Sequence, residues 1–297
     1  MNGAVGGIRP RSWRSSGSFF GAPHLRLAVS PDFISQFEHE TPIIGVVHLP
    51  ALPGAPESDG DRSAIRQQAL ADATALENGG VDAIIVENFG DAPFYPDEVP
   101  AHVVADMTAV TGAVVAAVGV PVGVNVLRND ATAALSVAAA AGADFVRVNV
   151  HVGVAVTDQG TIEGRAHETL RLRDRIDTEV AICADVGVKH AAALADRDLS
   201  GGASDAVERG LADAVIVSGE RTGDRTSLDD VRYVQESIGE TVPVLVGSGV
   251  TAETAPDILQ TADGAIVGTA FKTDGVTTNP VEEDRVRELV DAAKTQE

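Results

Sequence analysis

The chain has almost no sulfur, few aromatic rings and very little lysine. Cys183 is its single cysteine, so no disulfide can close within the chain, and its place in an apolar run suits a reducing, cytoplasmic compartment. Aromatic residues make up 4% of the 297. That leaves Ala, Val, Leu and Ile to fill the interior, a composition that fits parallel strands covered by helices on both faces. The lysines are Lys189, Lys272 and Lys294, and 44 acidic side chains face 22 basic ones, for a net charge of −22. Such a surface repels phosphate backbones and anionic headgroups, which excludes nucleic acid as a partner and matches a protein of a high-salt cytoplasm. No uninterrupted run of about 18 uncharged apolar residues offers a membrane span. Thr108 to Val126 comes nearest, but Gly and Pro break it, and it reads as a helix followed by a strand.

The first stretch differs in kind. Met1 to Pro31 holds Arg9, Arg11, Arg14 and Arg26, no acid, many Gly and Ser, and Trp13. No apolar region follows the charges as a signal peptide would require. Residues 1–40 therefore read as a disordered tail or a misassigned start, and 41–297 as one domain.

From Thr41 onward one unit recurs: a short β-branched run, a polar or Gly loop, then an Ala-rich segment at helical spacing. The strands predicted are Ile43 to His48, Ala83 to Glu87, Val122 to Val126, Phe145 to Val150, Val180 to Asp185, Ala214 to Ser218, Val242 to Val246 and Ala265 to Val267. Helices fall at Arg62 to Asn78, His102 to Val118, Thr132 to Ala141, Leu228 to Ser237, Ala252 to Gln260 and Val281 to Ala293, the last entered through an Asn279-Pro280 cap. Eight such strands close a single (β/α)8 TIM barrel, an α/β fold, with an open doubly wound sheet as the alternative.

In a parallel barrel one phase of each strand faces the helices and must be apolar, so the other phase points inward. Val146, Val148 and Val150 take the helix side, which sends Phe145, Arg147 and Asn149 into the barrel; the same reasoning turns Asn125, Glu87, Asp185 and Ser218 inward. These polar positions collect at the C-terminal strand ends, where barrel active sites lie. A satisfied polar layer without chemistry is the competing explanation. The seventh strand runs into Gly247-Ser248-Gly249 and the eighth into Gly268-Thr269. Two adjacent Gly loops let backbone N–H groups converge on an anion, the usual barrel phosphate grip. Ser218-Gly219 and Arg128 complete the expected ligand-binding set.

Several segments resemble one known family. They are Ile44-Gly45-Val46-Val47-His48-Leu49-Pro50-Ala51-Leu52-Pro53-Gly54, Glu87-Asn88-Phe89-Gly90-Asp91-Ala92-Pro93-Phe94, Asn125-Val126-Leu127-Arg128-Asn129-Asp130, Arg147-Val148-Asn149-Val150, Ala184-Asp185-Val186-Gly187-Val188-Lys189-His190 and Gly219-Glu220-Arg221-Thr222-Gly223. Together, from Thr41 to the C-terminus, they look like the BtpA/SgcQ family, and with the acidic surface like a halophilic archaeal member of it. The resemblance implies a barrel. It also carries a photosystem I assembly label from photosynthetic members and a sugar-utilisation context from bacterial ones.

Two functions are then open. In the first, an enzyme binds a small phosphorylated sugar or nucleoside-type metabolite; Glu87 or Asp185 serves as general base, while Arg147, Lys189 or His190 stabilises charge or returns the proton, with Asn125 and Asn149 beside them. Such a reaction would be of isomerase, lyase or phosphorylase type. His48 is a further acid/base candidate. No cofactor is predicted; a divalent metal on Glu87, Asp185, His48 and His190 is compatible but not demanded, since no tight ligand spacing is present. In the second, a non-catalytic assembly factor or ligand sensor keeps the phosphate pocket. Self-association into a homo-oligomer is compatible with both.

Overall fold

A computed structural model of the chain describes residues 33–187, 192–193, 198–219, 224–240 and 242–294. In chain order the strands and helices are β1 (Ile43–His48), α1 (Arg62–Asn78), β2 (Ala83–Glu87), α2 (Ala101–Val115), β3 (Val122–Asn125), α3 (Ala131–Ala141), β4 (Phe145–Val148), β5 (Val154–Thr157), β6 (Gly160–Glu163) and α4 (Ala166–Arg175). There follow β7 (Ala181–Val186), β8 (Ala192–Ala193), α5 (Leu199–Glu208), β9 (Ala214–Val217), α6 (Leu228–Ile238), β10 (Val244–Val246), α7 (Ala255–Leu259), β11 (Gly264–Val267) and α8 (Glu283–Lys294). Eight of these strands form a closed barrel in the order β1-β2-β3-β4-β7-β9-β10-β11, every pairing parallel. Closure excludes the open-sheet alternative.

The two side-chain phases make two cores. Val122, Val124, Val146, Val148, Val215, Val217 and Val246 pack outward beneath the helices. Ile44, Val46, Ala83, Ile85, Phe145, Ala181, Cys183, Ala214, Ile216, Leu245 and Ile266 fill the barrel itself. Phe33 and Phe37 join this inner core: Phe33 is 1% exposed and meets Phe145 edge-on at 5.6 Å and Phe37 at 5.0 Å. A single 3-10 turn, Phe33–Gln36, carries them. Thus part of the stretch grouped with the tail is packed into the barrel's N-terminal end, where a core short of aromatics gains its largest rings.

An aspartate just before every second strand stitches that end. Asp82, Asp144, Asp213 and Asp263 precede β2, β4, β9 and β11, and each accepts from an amide at the start of the strand before it: Ile43 at 2.8 Å, Val122 at 2.9 Å, Ile182 at 2.6 Å and Val244 at 2.7 Å. The N-terminal rim is thus used for stability.

Three local expectations are corrected. Asn279-Pro280 does not open the last helix. Pro280 O accepts from Thr273 N at 3.0 Å and Asn279 Nδ2 donates to Thr273 O at 3.0 Å, so the pair closes a loop and α8 starts at Glu283. The seventh helix is shorter than expected, because Thr251 and Thr254 bond to each other through backbone and hydroxyl groups and hold a turn ahead of it. Finally, β5 and β6 form an antiparallel hairpin after β4, with β8 on its other edge, where no strand was expected.

Candidate functional site

At the C-terminal rim β1 and β2 bring His48 opposite Glu87, and β2 and β3 bring Glu87 opposite Asn125. Arg147 rises from β4 between two carboxylates. Its Nε and Nη2 donate to the two oxygens of Asp185, each at 3.1 Å, and Nη1 donates to Glu87 Oε1 at 3.3 Å. Asn125 Nδ2 adds a bond to the same Glu87 oxygen at 3.1 Å, and Asn149 Nδ2 one to Asp185 Oδ2 at 2.8 Å. Burial works to lower the Arg147 pKa, but the Asp185 and Glu87 charges outweigh it and the net shift is upward. Arg147 is therefore a permanent cation.

The second Glu87 oxygen lies 3.9 Å from His48 Nε2. Burial lowers the His48 pKa to about 4, with Glu87 opposing and Lys272 assisting, so the ring is neutral at neutral pH and can accept or donate a proton. Phe89 packs on it, ring centroids 4.7 Å apart. Glu87 is held in place by the segment that follows. Asn88 Oδ1 accepts from Leu127 N at 2.7 Å, Asn88 Nδ2 donates to Asp91 Oδ2 at 3.0 Å, and Asp91 Oδ1 accepts from Leu52 N at 2.7 Å. A side chain at Gly90 would collide with the Pro50–Ala51 backbone. The Glu-Asn-Phe-Gly-Asp run is thus a lock between the first three strand-end loops.

The two Gly loops stand beside this ring. Among the described residues the backbone N–H groups of Ser248, Gly249, Thr269 and Ala270 have no protein acceptor. Ser248 Oγ accepts from Gly219 N at 2.7 Å, and Thr226 Oγ1 donates to Ser248 O at 3.0 Å and lies 3.3 Å from Ser248 Oγ, which ties the loops after β9 and β10 together. Gly249 sits at φ +71°, and a Cβ there would run into the Arg225 backbone rather than into open space. Gly249→Asp would therefore displace that loop as well as add charge, so it is a poor probe of anion binding. Ser218 Oγ lies against Gly247, where a Cβ would strike it.

These groups share one cavity of about 760 Å³, lined by His48, Glu87, Asn125, Arg128, Arg147, Asn149 and both Gly loops. Asp185 is buried behind Arg147 and Asn149. Burial lowers the Arg128 pKa, with Asp185 and Asp158 opposing. Lys189 and His190 lie outside the described residues, as does Glu220-Arg221-Thr222-Gly223. Among the described residues no three His, Cys, Asp or Glu side chains are grouped to hold a metal ion, and no helix is long and apolar enough to cross a membrane.

Two features carried no local sequence signal. Lys272 is fully buried, its Nζ 3.0 Å from Asp72 Oδ2 on α1, while Asp72 Oδ1 accepts from Val281 N at 3.0 Å. One carboxylate thus pins both ends of the loop that follows the second Gly turn. From that loop Thr277 hydrogen-bonds Thr269 through their hydroxyls at 2.9 Å, and a backbone group of Thr277 also touches His48.

The model of the BtpA family matches residues 39–295. The chain belongs to the BtpA family. It is 49% identical to an uncharacterized protein of Thermococcus kodakarensis, over 85% of this chain and 95% of that one. It is 44% identical to the photosystem I biogenesis protein BtpA of Synechocystis, over 88% and 91%. A mitochondrial protein of Caenorhabditis elegans is 33% identical over 85% and 93%. Among solved structures, thiamine phosphate pyrophosphorylase of Pyrococcus furiosus matches at TM-score 0.51 and 17% identity, over 86% of this chain and 96% of that one. Phosphoribosyl anthranilate isomerase of Thermus thermophilus matches at 0.54 and 11%, over 86% and 100%. At such identities these two structures speak for the barrel alone.

Proposed function

We propose that this BtpA-family barrel is a cytoplasmic enzyme acting on a small phosphorylated sugar or nucleoside-type metabolite. The observation that carries this is one cavity in which four backbone N–H groups, without protein acceptors among the described residues, adjoin the His48–Glu87 pair. Ser248, Gly249, Thr269 and Ala270 hold the phosphate and so fix the remainder of the ligand over the ring. Glu87 Oε2 and the neutral His48 ring exchange the proton. Arg147, unable to deprotonate, stabilises negative charge as it develops. Asp185, whose side-chain hydrogen bonds among the described residues go to Arg147 and Asn149, supports that cation. The solved barrels named above include enzymes named for a phosphate or phosphoribosyl group, which is in keeping with this reading.

A second reading, a non-catalytic assembly factor or sensor, is favoured by the name of the Synechocystis relative. The two separate in one experiment. Phosphorylated metabolites are screened against the purified protein in molar KCl by thermal shift, and those that bind are followed by mass change with the wild type and with Glu87→Gln. The enzyme reading expects turnover by the wild type and binding without turnover by the variant. Saturable binding with no product from either protein supports the sensor.

A further inference from the structure

The cavity does not end at the two Gly loops. Its lining also takes in Thr251, Ala252, Glu253, Gly275, Arg285 and Glu288. Arg285 is unusual for its setting. It lies on α8 with Glu282 and Glu288 three residues away on either side, the spacing at which helix ion pairs form. Its neighbour Arg287 pairs with both Glu283 and Asp284. Yet among the described residues Arg285 makes no ion pair; its Nε instead donates to Ala270 O at 3.0 Å. In a chain with 44 acidic side chains against 22 basic ones, a half-buried guanidinium lacking a carboxylate partner, held by a loop carbonyl and facing a cavity, is a charge kept for something else.

Resting on the phosphate grip proposed above, we infer that Arg285 binds a second phosphoryl group, and that the ligand carries a diphosphate. The residue whose carbonyl fixes Arg285 is Ala270, whose own N–H belongs to the grip. The guanidinium is therefore close to the first phosphate, as a directly linked second phosphoryl requires and the far end of a sugar bisphosphate does not. Two guanidinium nitrogens remain for that group, in the paired geometry that suits phosphate oxygens. Glu253 and Glu288 line the same cavity and repel an anion that is not drawn in against the arginine, which sharpens the choice of where the second group sits.

Titration calorimetry in molar KCl with inorganic phosphate and inorganic pyrophosphate as probes tests this on the wild type, Arg285→Gln and Arg285→Lys. The wild type should bind pyrophosphate about tenfold or more tighter than phosphate, the gain expected of a charge-assisted contact. Arg285→Gln should abolish that preference with phosphate affinity unchanged, and Arg285→Lys should keep part of it. Equal binding of the two anions by the wild type overturns the inference and leaves the grip standing. A Gln variant that loses phosphate and pyrophosphate affinity by the same factor also overturns it, since Arg285 then only props the loop. Absence of binding by either anion overturns the grip and the inference together.

Discussion

Asp185 accepts two hydrogen bonds of 3.1 Å from the Arg147 guanidinium and a third, of 2.8 Å, from Asn149 Nδ2. A carboxylate so saturated is a support, and its removal leaves the buried Arg147 with Glu87 as its remaining charged partner at 3.3 Å. Asp185→Ala should destabilise the fold by about 3 kcal/mol or more, the usual cost of breaking one side of a buried pair. Asp185→Asn, which keeps an acceptor, should cost less. Urea unfolding of the three proteins measures both, and an alanine variant as stable as the wild type would show that Arg147 does not depend on this partner.

Much of this was legible in advance, for a physical reason. Strands buried on both faces must be β-branched and apolar, so a lone Arg147 or Asn149 in such a run has one direction to point. The Gly loops were legible because close backbone approach needs glycine. What escaped depends on partners far away in the chain. Asp72 and Lys272 are 200 residues apart, and nothing around either forecasts a buried pair. Phe33 and Phe37 lie beside a Gly- and Ser-rich stretch whose composition hid them. The hairpin of β5 and β6 is short and half exposed, so it lacks the apolar run that announces a barrel strand.

His48 gives the stability a pH dependence of known sign. Its pKa is about 4 in the fold against about 6.5 unfolded, so in that interval the unfolded chain binds the extra proton. Stability is full above pH 6.5 and is lost as pH falls toward 4, by up to about 3 kcal/mol from this group. Unfolding midpoints at pH 7 and pH 5 should differ less in His48→Gln than in the wild type. Equal differences would mean that the ring titrates normally.

Phe33 and Phe37 make a prediction about where the domain begins. A chain shortened to start at Pro31 should melt as the full-length protein does, because both rings remain. Phe33→Ala, at a site 1% exposed, should cost about 3 to 5 kcal/mol. A thermal midpoint unmoved by that substitution would contradict the packing described.

The net charge of −22 predicts that folding weakens as salt is removed. Self-repulsion reaches farther when the Debye length grows from ~3 Å at 1 M to ~30 Å at 0.01 M. The melting temperature should therefore climb steadily with KCl. A flat dependence would indicate a surface not adapted to salt.

The phosphate grip itself is tested most directly by titrating inorganic phosphate into isotopically labelled protein and following backbone amides by NMR. The account predicts that the largest shifts fall on Ser248, Gly249, Thr269 and Ala270, saturate together, and weaken severalfold in Thr277→Val, which removes the hydroxyl 2.9 Å from Thr269 Oγ1. Saturable shifts centred elsewhere, or none at millimolar phosphate, would contradict it.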